Sequence, residues 1–209
     1  ATKAFTAQIP VLTLLGMYLA KMRGELSPET EKRLTTALMD IPSKLASILT
    51  QEKAIEQTAR NFADARGFFF IGRGLAYPPA LEGALKLKEI SYLHAEAYPA
   101  GEMKHGPIAL LDKELPVVAL VPQGELWEKT ISNIEESMAR KSPIIAIATE
   151  GDSEISHYSE NVIYTPKTEP ELFPFIAVVP LQLFAYYGAR QRGCDIDMPR
   201  NLAKSVTVE

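Results

Sequence analysis

Four large apolar residues standing side by side between two glycines, Gly67-Phe68-Phe69-Phe70-Ile71-Gly72, constrain this chain more than any other stretch. Successive residues of a strand point to opposite faces, so an unbroken apolar run predicts a strand covered on both sides. That is the habit of a parallel sheet packed between helices. Two further runs read the same way, Leu115 to Val121 (LPVVALV) and Pro143 to Ala148 (PIIAIA), with a shorter one at Asn161 to Thr165 (NVIYT). Helical patterns alternate with them. One covers 78 to 95 and is followed by a Gly- and Pro-rich loop; a second covers Gly124 to Lys141. A third, very apolar, covers Pro170 to Gly193 and is interrupted by Pro174 and Pro180. Strands alternating with helices imply right-handed crossovers, and so an α/β, doubly wound parallel sheet in three layers.

The first sixty-five residues read as all-helical. From Phe5 to Arg23 the positions Ile9, Leu12, Leu15, Met17 and Leu19 recur at helical spacing, predicting a helix buried on much of its circumference and ended by Gly24. Ser27-Pro28-Glu29 is a helix start, with a capping hydroxyl, a proline in the first turn and acids beside the positive helix end. That helix is expected to reach about Met39, with Pro42 opening another and Gln51 to Ala65 continuing. The expected organisation is a helical segment over 1–65 and a sheet domain over 66–209.

Composition narrows the function classes. The chain has 209 residues and a formal charge of -4, which gives no broad basic footprint for nucleic acid or for an anionic membrane surface. Its single cysteine, Cys194, has no partner for an internal disulfide, which suits a reducing, cytoplasmic setting. The apolar run Ile9 to Ala20 is shorter than the ~20 residues a membrane helix needs and lacks the basic start of a signal peptide. The chain begins at Ala1 without an initiator Met, and is expected to be a piece of something longer.

Gly72-Arg73-Gly74 has the start of a dinucleotide fingerprint, but Tyr77 stands at the third glycine position. No acidic residue waits ~20 residues on, so NAD is not expected. The turn is either the rim of a pocket at the carboxyl ends of the strands or a tight strand-to-helix turn. Glu82, Lys86, Glu89 and Leu93 share one narrow arc of the next helix, placing Lys86 within reach of both carboxylates. Alone, such a face reads most simply as solvated helix surface; a helix starting at the carboxyl edge can also aim it at a pocket. His94, Glu96, Tyr98, Glu102, Lys104 and His105 then crowd into a turn-rich stretch, where histidine suits acid or base work near neutrality. The Glu102-x-x-His105 spacing belongs to a helix that Gly106-Pro107 breaks, and no second ligand pair is visible, so no metal and no cofactor are expected. Pro122 to Glu125 carries no Ser or Thr before Thr130 and reads as a helix start without a phosphate site.

Three segments, ALEGALKLKEISYLHAEAYPAGEMKHGPIALL (80–111), PRNLAKSVTVE (199–209) and ATKAFTAQ (1–8), closely resemble the glutamine:fructose-6-phosphate amidotransferases, also called glucosamine-6-phosphate synthases. The resemblance extends over essentially the whole chain. It implies the second half of the isomerase region, a sugar-isomerase (SIS) domain, with the preceding helices joining it to a first SIS half. It implies that Glu89 shuttles the proton between C1 and C2 of the sugar, supported by Lys86. His105 is then linked to ring opening and reaches the neighbouring subunit of a homodimer. Lys204 is associated with an imine to the open-chain ketose, Ala203 lines the sugar and Thr2 lies in a segment that approaches it. Fructose 6-phosphate and glucosamine 6-phosphate are the implied ligands. The glutaminase domain and the Ser/Thr-rich phosphate loop of the first SIS half are absent from these 209 residues, so the chain alone is expected to be nearly inactive. Two other readings remain: a free-standing sugar-phosphate isomerase or amino-sugar deaminase, and a SIS module that senses sugar phosphates without chemistry.

Overall fold

A computed structural model describes residues 2–200. Its centre is the expected strand β1 (Gly67–Gly72), every residue of which is buried. Phe68 and Phe70 enter the core on one face of the sheet, Phe69 and Ile71 the core on the other. Around it lie β2 (His94–Pro99), β3 (Val117–Val121), β4 (Ile144–Thr149) and β5 (Asn161–Thr165), all parallel, in the spatial order β2-β1-β3-β4-β5. This is a doubly wound sheet whose strand order reverses between β1 and β3.

Helices α3 (Glu52–Asn61), α4 (Tyr77–Ser91) and α6 (Phe173–Gln191) cover the Phe68/Phe70 face, with Ile55, Ala59, Leu87, Leu181 and Phe184 filling the space between. Helix α5 (Trp127–Met138) and the short 3₁₀ turns after β2 cover the other face through Ile131, Ile134, Ala100 and Met103. The expected boundary at residue 65 falls between α3 and β1, yet α3 packs into the sheet's own core. Outside this layer, α2 (Pro28–Leu49) lays Ala37, Ile41 and Ile48 against Phe175 and Ile176 of α6.

The structure departs from the sequence expectations in four places. The helix expected over 78–95 stops at Ser91, and what was expected as the start of a loop is the edge strand β2, paired in parallel with β1 from Gly67↔His94 to Gly72↔Pro99. Helix α2 does not break at Pro42, and α6 runs unbroken through Pro180 with Pro174 in its first turn. An interior proline costs about 3 kcal/mol, whereas each large apolar side chain taken out of water returns roughly 1.5–3 kcal/mol, and both helices bury several. Helix α1 (Thr2–Met22) has no buried residue, against the expectation of burial around much of its girth. Ile9 packs partly on the α2–α6 cluster, while Val11, Leu12, Leu15, Tyr18, Leu19 and Met22 are exposed. Lys21 Nζ donates to Glu31 of α2 at 2.7 Å, but the exposed apolar side chains of α1 join no core cluster among the described residues. Its 21 residues, and those of the Pro170–Gln191 segment, are long and apolar enough by length and composition to cross a bilayer. The second is mostly buried in the protein core.

The turn after β1 depends on Gly72. A Cβ there would lie 2.4 Å from the Ala76 carbonyl oxygen and 2.9 Å from the Tyr77 nitrogen, both backbone atoms that cannot swing aside. Gly72→Ala should therefore destabilise the domain by about 1–3 kcal/mol, lowering the thermal midpoint by several degrees. An unchanged midpoint in a calorimetric or circular-dichroism melt would show that the turn relaxes freely.

Candidate functional site on helix α4

Helix α4 opens with Pro78 and Pro79 in its first turn, where the missing amide hydrogens are not needed. It runs back along the sheet with Ala80, Gly83, Ala84 and Leu87 facing the core. Gly83 admits α6 so closely that a Cβ would lie 2.8 Å from Leu181 Cδ1. Packing on this side turns the Glu82-Lys86-Glu89 arc into a shielded position. Lys86 is only 6% exposed, so the simple solvated-face reading fails.

The Lys86 ammonium hydrogen-bonds the Glu89 carboxylate and lies 3.7 Å from Glu82 Oε1. Glu82 Oε1 is buried, and it accepts no hydrogen bond from the described residues. Burial raises the Glu82 carboxyl above its ordinary pKa; Lys86 opposes this, while the charge of Glu89 adds to it. One cation thus serves two carboxylates in a partly dry setting, and Glu89, the more exposed of the two, receives its hydrogen bond. An ionised carboxylate held in place with one side open to solvent can take a proton from a bound molecule.

The position of this pair corrects one expectation. Helix α4 starts beside the carboxyl end of β1, and at 1.5 Å per residue Glu89 lies about 18 Å along it, towards the amino end of the sheet. The glycine turn and the Glu89-Lys86 pair therefore do not form one pocket at the carboxyl edge. His105 lies past the other end of β2, in the 3₁₀ turn Ala100–His105. Six strand residues, roughly 16–20 Å, lie between the two levels, and within one chain Glu89 and His105 are not brought together. The His105 side chain is 70% exposed, with Nε2 4.0 Å from Glu102 Oε2.

The histidine turn is firmly held all the same. Ala100 and Met103 are buried beneath it, and Gly101 lies against the Arg73 guanidinium, 3.2 Å from Nη2 to an added Cβ. Arg73 Nε donates to Asn133 Oδ1 (3.0 Å), Asn133 Nδ2 donates to Glu136 Oε2 (3.0 Å), and Lys104 Nζ donates to Glu136 Oε1 (3.1 Å). Hydrogen bonds from Asn133 and Lys104 hold the Glu136 carboxyl below its usual range, against a desolvation that acts the other way. Along β2, Tyr98 donates its hydroxyl to Glu96, and burial, followed by that bond, pushes the phenol up to about 12. Gly124, where a helix was expected to begin, precedes the first turn of α5 and has φ +142°.

Helix α4 ends at Tyr92 in the left-handed conformation, φ 61°, ψ 15°. Glycine takes this conformation freely, whereas other residues lose about 1–2 kcal/mol. Tyr92 has a compensating contact: its hydroxyl accepts the Arg200 backbone N–H at 2.9 Å, and the Arg200 guanidinium lies 4.3 Å from its ring centroid. Arg192 Nε donates to the Ser91 carbonyl at 3.3 Å, tying the end of α6 to the same corner. The sequence analysis missed Tyr92, Arg73 and Asn133; the available signal for Tyr92 was an aromatic where a helix ends without Gly or Asn. Thr2 is the exposed first residue of α1, and Ala203 and Lys204 lie outside the described residues. No group of three or more His, Cys, Asp or Glu side chains able to hold a metal occurs among the described residues.

Known proteins resemble this chain strongly. It is 52% identical over 209 residues to a glutamine–fructose-6-phosphate aminotransferase (isomerizing) of Thermus thermophilus, covering all of this chain and 35% of that protein. It is 53% identical to the enzyme of the same name from Chlorobaculum tepidum, covering 34% of it. The chain thus spans about a third of the length of these curated relatives. The solved C-terminal domain of glucosamine-fructose-6-phosphate aminotransferase from Francisella tularensis superposes with a TM-score of 0.89 at 39% identity, over 95% of this chain and 56% of that one. The SIS domain model matches residues 61–189, more than half the chain, and the chain belongs to the SIS domain family.

Proposed function

We propose that this chain is the second SIS half of a glutamine–fructose-6-phosphate transaminase (isomerizing), a cytoplasmic enzyme that converts fructose 6-phosphate and glutamine-derived ammonia to glucosamine 6-phosphate. The observation that carries the reading is the buried Lys86 bonded to Glu89 on a chain 52% identical throughout to an enzyme of that name. Residues 1–65 link this half to the first one, and the glutaminase part and the first SIS half supply the ammonia and most of the phosphate contacts.

The chemistry assigned to these residues is a proton transfer. Lys204 holds the open-chain ketose as an imine, which ammonia displaces. The Glu89 carboxylate then removes a proton from C1 of the protonated C2 imine, whose positive nitrogen takes up the C=N electron pair. The electrons of the broken C–H bond form the C1–C2 double bond, and the imine nitrogen becomes an enamine nitrogen. Glu89 returns the proton to C2 as the O1 proton leaves and C1 becomes the aldehyde. Lys86 hydrogen-bonds the Glu89 carboxylate and so holds it in place for the first step. Ala203 and Thr2 line the sugar.

His105 opens the sugar ring in the partner's site, so the working unit is a homodimer. The separation of Glu89 and His105 by the length of β2 supports this: one chain supplies the two groups at different levels of the sheet.

The full-length protein should catalyse deuterium exchange at C1/C2 of the sugar phosphate in D2O, and Glu89→Gln should reduce it by about 10²–10⁴-fold, the usual contribution of a positioned acid/base group. Exchange that survives the substitution sinks the shuttle assignment, and binding without any exchange in the unmodified protein favours a sensing module. A second expectation concerns sharing. Mixing Glu89→Gln and His105→Ala subunits should restore about a quarter of the unmodified activity, since half the random dimers are mixed and each has one intact site. No restoration would mean that both groups act within one chain.

A further inference from the structure

We infer that Tyr92 is a positioning residue that anchors the C-terminal tail at the foot of α4, beside the Lys86-Glu89 pair. This rests on the reading above, since it concerns how the tail lysine of that reaction is delivered.

Three independent features meet at Tyr92. Its backbone is left-handed where glycine would be unstrained, so the side chain must supply what glycine could not. Its hydroxyl accepts the Arg200 N–H at 2.9 Å, fixing the tail's backbone and not merely a mobile side chain. Its ring faces the Arg200 guanidinium at 4.3 Å, well inside cation–π range. The approach to this point is also built. Gly193 turns with φ 68° after α6, and Asp195 Oδ1 accepts the Asp197 and Met198 amides at 3.0 and 2.9 Å. The chain arrives at Tyr92 by a defined path.

The anchor point matters because of what flanks it. Tyr92 follows Glu89 by three residues, and Lys204 follows Arg200 by four. Four residues of chain extend at most about 14 Å. Fixing Arg200 at Tyr92 therefore shortens the free chain that leads to Lys204 and starts it three residues from Glu89. A tail released from Tyr92 would be tethered only at the end of α6, with several more residues of slack.

The test uses the full-length enzyme. Tyr92→Gly removes the anchor and relieves the backbone; kcat for glucosamine 6-phosphate formation should fall at least tenfold while the KM for fructose 6-phosphate changes less than threefold. Tyr92→Phe, which keeps the ring contact but loses the bond to the Arg200 N–H, should show an intermediate loss. Arg200→Ala, which loses the guanidinium but keeps the backbone N–H, should show part of the Tyr92→Gly loss, and the Tyr92→Gly/Arg200→Ala double variant should be no worse than Tyr92→Gly alone. Trypsin should cut after Arg200 faster in Tyr92→Gly than in the unmodified enzyme. Unchanged kcat in Tyr92→Gly, in a protein that Glu89→Gln inactivates, overturns the anchor and leaves the proposed function standing. No C1/C2 exchange in the unmodified enzyme overturns both. If Tyr92→Gly does not fold, Tyr92→Phe and Arg200→Ala decide, since each removes one of the two contacts: kcat unchanged in both overturns the anchor.

Discussion

Everything in this structure depends on β1 being buried on both sides. Four consecutive large apolar residues cannot be satisfied by one covering layer, so helices must pack on each face, and a helix that returns the chain to start a parallel neighbour does this directly. Helix α4 is that connection. Its inner face is fixed by Phe68 and Phe70, its close approach to α6 by Gly83, and its outer arc of Glu82, Lys86 and Glu89 by default. The groups proposed for the reaction occupy the part of the helix that the core does not use.

Ion pairs in partly dry surroundings are seldom placed for stability, because the attraction barely repays the lost hydration. Lys86 illustrates the point, with one ammonium between two carboxylates of which only Glu89 is hydrogen-bonded. Such an arrangement costs the fold something, and it holds the Glu89 carboxylate in a fixed position beside a shielded cation. The Arg73-Asn133-Glu136-Lys104 chain is of the other kind. It joins the turn after β1, helix α5 and the histidine turn through neutral and charged hydrogen bonds at a half-exposed surface. Its contribution is to hold three separate pieces of backbone in one arrangement.

Much of the fold was legible in the sequence because two-sided burial writes itself as unbroken apolar runs; β1, β3 and β5 fell within the segments expected for them, and β4 passes the end of its own only by Thr149. The edge strand β2 did not. In His94-Ala95-Glu96-Ala97-Tyr98-Pro99 only small residues face α4, while the other side carries groups that can meet solvent, so nothing apolar marked it. The prolines of α2 and α6 suggested breaks because local cost is visible in sequence and tertiary burial is not. On α4 the spacing gave the reach of Lys86 to both carboxylates, but the burial of Lys86 depends on how closely α6 approaches. Helix α1 shows the converse: the helix forms as its periodicity predicts, but most of its large apolar side chains are exposed among the described residues. Tyr92 was invisible because a strained backbone and its compensation appear only once Arg200 is brought across from the far end of the chain.

The short strand β2 has one more consequence. Glu89 precedes it and His105 follows it, with a tight turn at each end, so the strand acts as a ruler between the two residues to which we assign roles. Hydrogen bonding to β1 along all six residues makes that ruler rigid. A one-residue insertion would lengthen it by about 3.3 Å and rotate the histidine turn to the opposite side of the sheet. The length of this modest edge strand thus sets the spacing within a site that we propose is assembled across two subunits.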